Sequence, residues 1–163
     1  MIFAIDPGPD RSAWVLYGED LAIVDECGID DNRSMSSIIH ERLGLHDMSI
    51  VVEMVASYGM PVGREVFETC VWIGRFLEAA EAFGCTAARL FRSDIKMHLC
   101  HTLKGVNDAV IRQALIDRFG PGKEKAIGTK KAPGPLYGVK ADIWAALAVA
   151  VTYAETKHKK VVA

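Results

Sequence analysis

The sequence predicts an α/β domain: a mixed five-stranded sheet, antiparallel through its first three strands and parallel through crossovers thereafter, flanked by helices. Three observations carry this. Three short β-rich runs separated by tight turns open the chain, and the apolar runs at 48–55 and 86–91 each follow a helical pattern. No repeat or linker divides the 163 residues, so a single domain over 1–163 is expected.

In order, residues 2–6 (IFAID) read as a buried strand and 12–18 (SAWVLYG) as a second. Glu19-Asp20 turns the chain into a third, 21–27 (LAIVDEC). Residues 34–44 (SMSSIIHERLG) read as a helix with serines at its start and Gly44 as its stop. MSIVVEMV at 48–55 has strand length and a single acid inside it. A long helix follows over roughly 64–83, where Val66, Cys70, Ile73, Leu77 and Ala80 recur at three- and four-residue spacing. TAARLF at 86–91 fits a fifth strand, with a short helix near 94–101. Asn107 can cap the next helix, whose apolar stripe is Val110, Ile111, Ala114 and Leu115 and whose stop is Gly120-Pro121. Residues 121–138, rich in Gly, Pro and Lys, read as a mobile loop, and KADIWAALAVAVTYAET at about 140–156 as the last helix. Strands joined by helical crossovers pair in parallel, and the first three pair as hairpins.

Half the residues are hydrophobic and a quarter charged, enough for a sizeable core. There is no apolar span of membrane length and no basic-then-apolar leader, so a cytoplasmic protein without a membrane partner is expected. Cys27, Cys70, Cys85 and Cys100 are scattered with no C-x-x-C pair and read as free thiols. The net charge of −2 hides a division: residues 1–88 hold 5 Lys and Arg against 15 Asp and Glu, whereas 89–140 hold 11 against 4. That asymmetry suits an anionic partner meeting one face; solvated loop lysines would produce it too.

Three acids stand where an apolar or neutral residue is expected. Asp6 ends the first strand, Glu53 lies within IVVEMV, and Asp142 lies in the first turn of an alanine-rich helix. Each has an ordinary reading: a turn residue before Pro-Gly, an outward strand position, a carboxylate favouring the helix dipole. Burying lone carboxylates is costly, however, and the topology can gather these three. If the first and fourth strands are parallel neighbours, Asp6 and Glu53 emerge at their carboxyl ends, where ligand sites collect in such sheets. A helix packed through Ala145, Ala146, Ala148 and Ala150 can bring Asp142 beside them. Converging carboxylates without His or Cys suit Mg²⁺ or Mn²⁺. Two such ions roughly 4 Å apart can serve phosphodiester hydrolysis.

IDPG at 5–8 followed by SAWVLY, VVEM at 51–54 and ADIWAALAVAVTY at 141–153 resemble the three acidic motifs of the RuvC family of Holliday junction resolvases, within the RNase H-like superfamily. RSDIKMHL at 92–99 and NDAVIRQALIDRFG at 107–120 resemble the family's later segments, and the compact form resembles phage- or prophage-type members. The resemblance implies an RNase H-like fold and a homodimeric, Mg²⁺-dependent endodeoxyribonuclease cutting four-way junctions, with two ions per site and no organic cofactor. Asp6, Glu53 and Asp142 would be its catalytic and metal-binding acids, water rather than a side chain being the nucleophile. Ala145 stands where the family commonly has another metal-site residue, and Ser12-Ala13 where it has Thr-Gly. The alternatives are a nuclease for flaps, forks or RNA–DNA hybrids, or a non-catalytic DNA-binding protein that keeps the fold.

DNA contacts are expected from Lys96, Lys104, Arg112, Lys130, Lys131 and Lys140, with Lys123 and Lys125 in the same basic stretch. Tyr58, in the loop after Glu53, could stack on an unpaired base or pack over the long helix. His98, Cys100 and His101 lack the spacing of a structural zinc site and read as core and helix end, as do Trp14, Trp72 and Trp144 as core.

Overall fold

The computed structural model describes residues 1–20, 22–43, 48–57 and 59–157. Gly44, expected to stop the first helix, and Tyr58 lie outside them.

The chain begins with β1 (Ile2–Asp6), β2 (Arg11–Gly18) and β3 (Ile23–Asp31), then α1 (Asn32–Leu43) and β4 (Ser49–Met54). The helix α2 (Arg64–Ala82) leads to β5 (Thr86–Phe91). There follow α3 (Arg92–Cys100), α4 (Asp108–Phe119), α5 (Lys123–Ala126), the two-residue strands β6 (Gly128–Thr129) and β7 (Ala132–Pro133), and α6 (Ile143–Thr156). The sheet order is β3-β2-β1-β4-β5, with β1–β2 and β2–β3 antiparallel and β1–β4 and β4–β5 parallel. This is the expected mixed sheet, and β1 is its central strand.

Strand alternation divides the interior in two. Ile2, Ala4, Val15 and Val51 face α3, α4 and α6, where Ile95, Leu115, Leu147 and Ala150 are buried. Phe3, Ile5, Leu16, Ile50 and Val52 face α1 and α2 with Met35, Ile39, Ile73 and Phe76. The Phe3 and Trp14 rings stack there at 5.3 Å, and Trp14 Nε1 donates to Asp30. Ala146, Ala148 and Ala150 present only methyl groups, too small to hold α6 away, and it packs across β1 and β2.

The differences from expectation have local causes. α1 starts at Asn32 because the Asp31 carboxylate accepts from the N–H groups of Arg33 and Ser34, capping the first turn ahead of the serines. The buried face of α2 runs through Thr69, Ile73, Phe76 and Ala80; Val66, Cys70 and Leu77 lie at its margins. Val110 is exposed, and Ile116 takes the buried place on α4, which Asn107 caps by accepting from Val110 N at 3.1 Å. Residues 121–138, expected as a mobile loop, are instead folded against the core. Ala126 and Leu136 are fully buried, and Leu136 N donates to Ala126 O at 2.8 Å. Gly128, at φ +70°, allows the β6–β7 hairpin to close where a Cβ would lie 2.3 Å from Ala132 O. The four cysteines are free and half-buried. Among the described residues no helix is long and apolar enough to cross a membrane.

Candidate active site

Parallel register pairs Ile5 with Val52, so Asp6 and Glu53 are the next neighbours at the carboxyl ends of β1 and β4. Alternation from Ala4 and Val51 puts both on the sheet face that α6 covers. The chain leaves Asp6 through a turn that only glycine permits, since a Cβ on Gly8 would lie 2.4 Å from Arg11 O. Asn32, buried, ties that turn down: its Nδ2 donates to Gly8 O at 2.9 Å and its Oδ1 accepts from Ser12 Oγ at 2.6 Å. The Pro-Gly after Asp6 therefore serves to hold this acid rigidly at the strand end.

Burial, followed by the charge of Glu53 and then those of Asp142 and Asp108, pushes the Asp6 carboxyl up to about 7, against the lowering effect of Arg92. Burial likewise raises Glu53, opposed by Arg92 and by Lys96. These acids have too little positive charge around them. Asp142 occupies the N-cap of α6 rather than its first turn, is exposed, and makes no side-chain capping bond. Its field reaches Asp6, but among the described residues no three acids, histidines or cysteines stand close enough to hold one ion. Unneutralised like charges repel, and the cation present has another geometry.

That cation is Arg92, the first residue of α3, which the sequence reading did not single out. Its Nη1 donates to Glu53 Oε2 at 3.2 Å, and its Nη2 pairs with Asp108 at the start of α4. Arg92 lines two clefts. One, of about 270 Å³, is bounded by Asp6, Glu53, Val55 and Val66; the other, of about 60 Å³, by Asp108, Asp142, Trp144 and Ala145. A signal for it exists in the sequence: β4–β5 register pairs Met54 with Phe91, so the next residue, Arg92, must emerge at the same sheet end as Glu53.

Of the expected DNA contacts, Lys96 comes near enough to lower Glu53, and the Arg112 guanidinium lies 4.7 Å from the ring centroid of Trp144. Lys130 and Lys131 form the exposed turn of the β6–β7 hairpin, while Lys104 and Lys140 are exposed elsewhere. None of these six makes an ion pair among the described residues. His98 Nε2 meets Glu155 Oε2 at 2.5 Å, and His101 closes α3 in a left-handed conformation.

No protein-family model matches the sequence, and no curated protein does. Solved structures do, two of which illustrate the likeness. Thermus thermophilus RuvC in complex with a Holliday junction substrate is 19% identical, with TM-score 0.62 over 97% of this chain and 94% of that one. A second Thermus thermophilus RuvC structure is 18% identical, with TM-score 0.63 over 98% of this chain and 96% of that one. The fold is RuvC-like, of the RNase H-like kind.

Proposed function

We propose that this chain is one RNase H-like nuclease domain that acts in the cytoplasm as a homodimer, a divalent-metal-dependent endodeoxyribonuclease that cuts branched DNA, four-way junctions above all. One observation carries the reading: two under-neutralised carboxylates, Asp6 and Glu53, adjacent on parallel strands and on the sheet face covered by α6, whose N-cap is Asp142. The RuvC-like fold, seen in a structure that holds a Holliday junction substrate, supports the choice of DNA.

Asp6, Glu53 and Asp142 are the residues that would hold Mg²⁺ or Mn²⁺, two ions in the complete site. The fit is chemical: an all-carboxylate donor set, short of positive charge, matches a hard cation that completes its shell with water and phosphate oxygens. Bound there, divalent metal supplies charge that activates water and stabilises the leaving oxygen. Asp6 fixes the position of the site through the turn locked by Asn32. Glu53 and Asp142 approach it from β4 and α6, and Lys96 adds positive charge beside it. Lys130, Lys131, Lys104, Lys140 and Arg112 meet phosphates further out. The dimer reading is supported by α2, which exposes Phe67 (62%) and Val71 (56%) with open space above Gly74.

The test is cleavage of a labelled four-way junction beside linear duplex, flap, fork and RNA–DNA hybrid, with Mg²⁺, Mn²⁺ or chelator. Paired symmetric nicks on the junction, lost with chelator and with Asp6→Asn while binding persists, are expected. Preferential cutting of flaps, forks or hybrids would replace the substrate and keep the site. A second reading, junction binding without cleavage, is favoured by Arg92 already sitting on Glu53 and by Ala145 beside Asp142. Binding with no cuts in either metal would select it.

A further inference from the structure

Arg92 holds two carboxylates of very different standing. The Glu53 side chain is 12% exposed and belongs to the sheet end; the Asp108 side chain is 88% exposed and stands at the mouth. The inner pair is enclosed and shielded from salt, whereas the outer one faces water, where ion pairs contribute little and break easily. A guanidinium presents the same planar fork of N–H donors to a carboxylate and to a phosphate. Asp108 therefore occupies, on the one cation that walls both clefts, the position a DNA phosphate oxygen could take.

Resting on the nuclease reading above, we infer that Arg92 is a phosphate-binding residue of the site and that Asp108 fills its outer N–H edge until a backbone phosphate of the DNA displaces it. Glu53 keeps Arg92 in place from behind through Nη1, and the capped start of α4 keeps Asp108 in front. An incoming strand would trade one anion for another at Nη2 without leaving a buried charge unpaired. Asp108 is thus a stand-in that excludes weakly held anions from the site.

The experiment is a double-mutant cycle read by equilibrium binding of a synthetic four-way junction in chelator, and again with Ca²⁺. Asp108→Ala is expected to tighten binding roughly 3- to 10-fold with Arg92 present and less than about 2-fold in the Arg92→Gln background. Arg92→Gln alone is expected to weaken binding and lower the salt slope by about one. Arg92→Lys retains the charge but loses the fork, and is expected to fall between the two. If Asp108→Ala tightens binding equally in both backgrounds, Asp108 acts by bulk repulsion and the inference fails. If Asp108→Ala weakens binding, the pair is a structural clasp for α4 and the inference fails too. Junction cutting that persists beside either result leaves the nuclease reading standing; wild-type protein that binds no junction in chelator or Ca²⁺ removes both.

Discussion

Replacing Asp6 by Asn should stabilise the metal-free protein, and by an amount that depends on pH. The folded protein holds the Asp6 carboxyl near 7, against 3.8 as the ordinary value. Between those limits the folded state binds a proton that the unfolded chain has released, so stability falls as pH rises through this window. Below it, both states are protonated and the contribution is whole; above it, both are ionised and the contribution is lost. At about 1.4 kcal/mol per pH unit, the displacement from 3.8 to about 7 amounts to roughly 4 kcal/mol. Asn carries no charge to desolvate and repel, so the variant should avoid that loss. Urea unfolding of both proteins in chelator from pH 4 to 8.5 should show a gap that opens with pH in favour of the variant. At pH 8 the gap should reach a few kcal/mol, or on the order of 10 °C in Tm. Mg²⁺ at pH 8 should then raise the Tm of wild type and leave Asp6→Asn nearly unchanged. A gap that stays flat across this range would refute the account, because a merely local packing effect has no reason to titrate.

If the proposed dimer forms through α2, Val71→Glu should yield a monomer by light scattering and abolish paired nicking, since it sets a charge in the exposed apolar patch of Phe67 and Val71. Replacing both Lys130 and Lys131 by Ala should lower the slope of log K against log salt for junction binding by nearly two. Leu136→Ala should cost about 2–5 kcal/mol in urea unfolding, because it empties a fully buried site under the hairpin. Asn107→Ala should cost about 1 kcal/mol through loss of the α4 cap, measured in the same way.

The five strands and their pairing could be read from the sequence because apolar alternation and helical spacing survive in the linear order. Asp6 and Glu53 could be read for a related reason: a lone acid at the end of a buried run is a local contradiction. Arg92 carries no such contradiction, since a charged residue opening a helix is ordinary. Its role comes from register across β4 and β5 and from pairing with residues 39 and 16 positions away. The docked loop was illegible for another reason. Ala126 and Leu136 are single buried residues in a Gly-, Pro- and Lys-rich stretch, with no periodicity to announce them. Helical spacing continues upstream of the point where Ala141, at φ +45°, breaks the helix, so α6 starts at Ile143 rather than near 140 and Asp142 is its N-cap rather than part of its first turn.

The candidate site draws its parts from regions that open at different free energies. β1 is hydrogen-bonded along both edges and covered on both faces, so its amides should exchange with solvent only when the whole molecule unfolds. Arg92, Asp108 and Asp142 stand at the starts of α3, α4 and α6, where helices fray first. The half of the site carried by the sheet thus persists for as long as the fold does. The half carried by helix ends rests on local caps and ion pairs and should open at a lower free energy than the sheet. On warming, hydrogen exchange should rise at the starts of α3, α4 and α6 before it rises along β1.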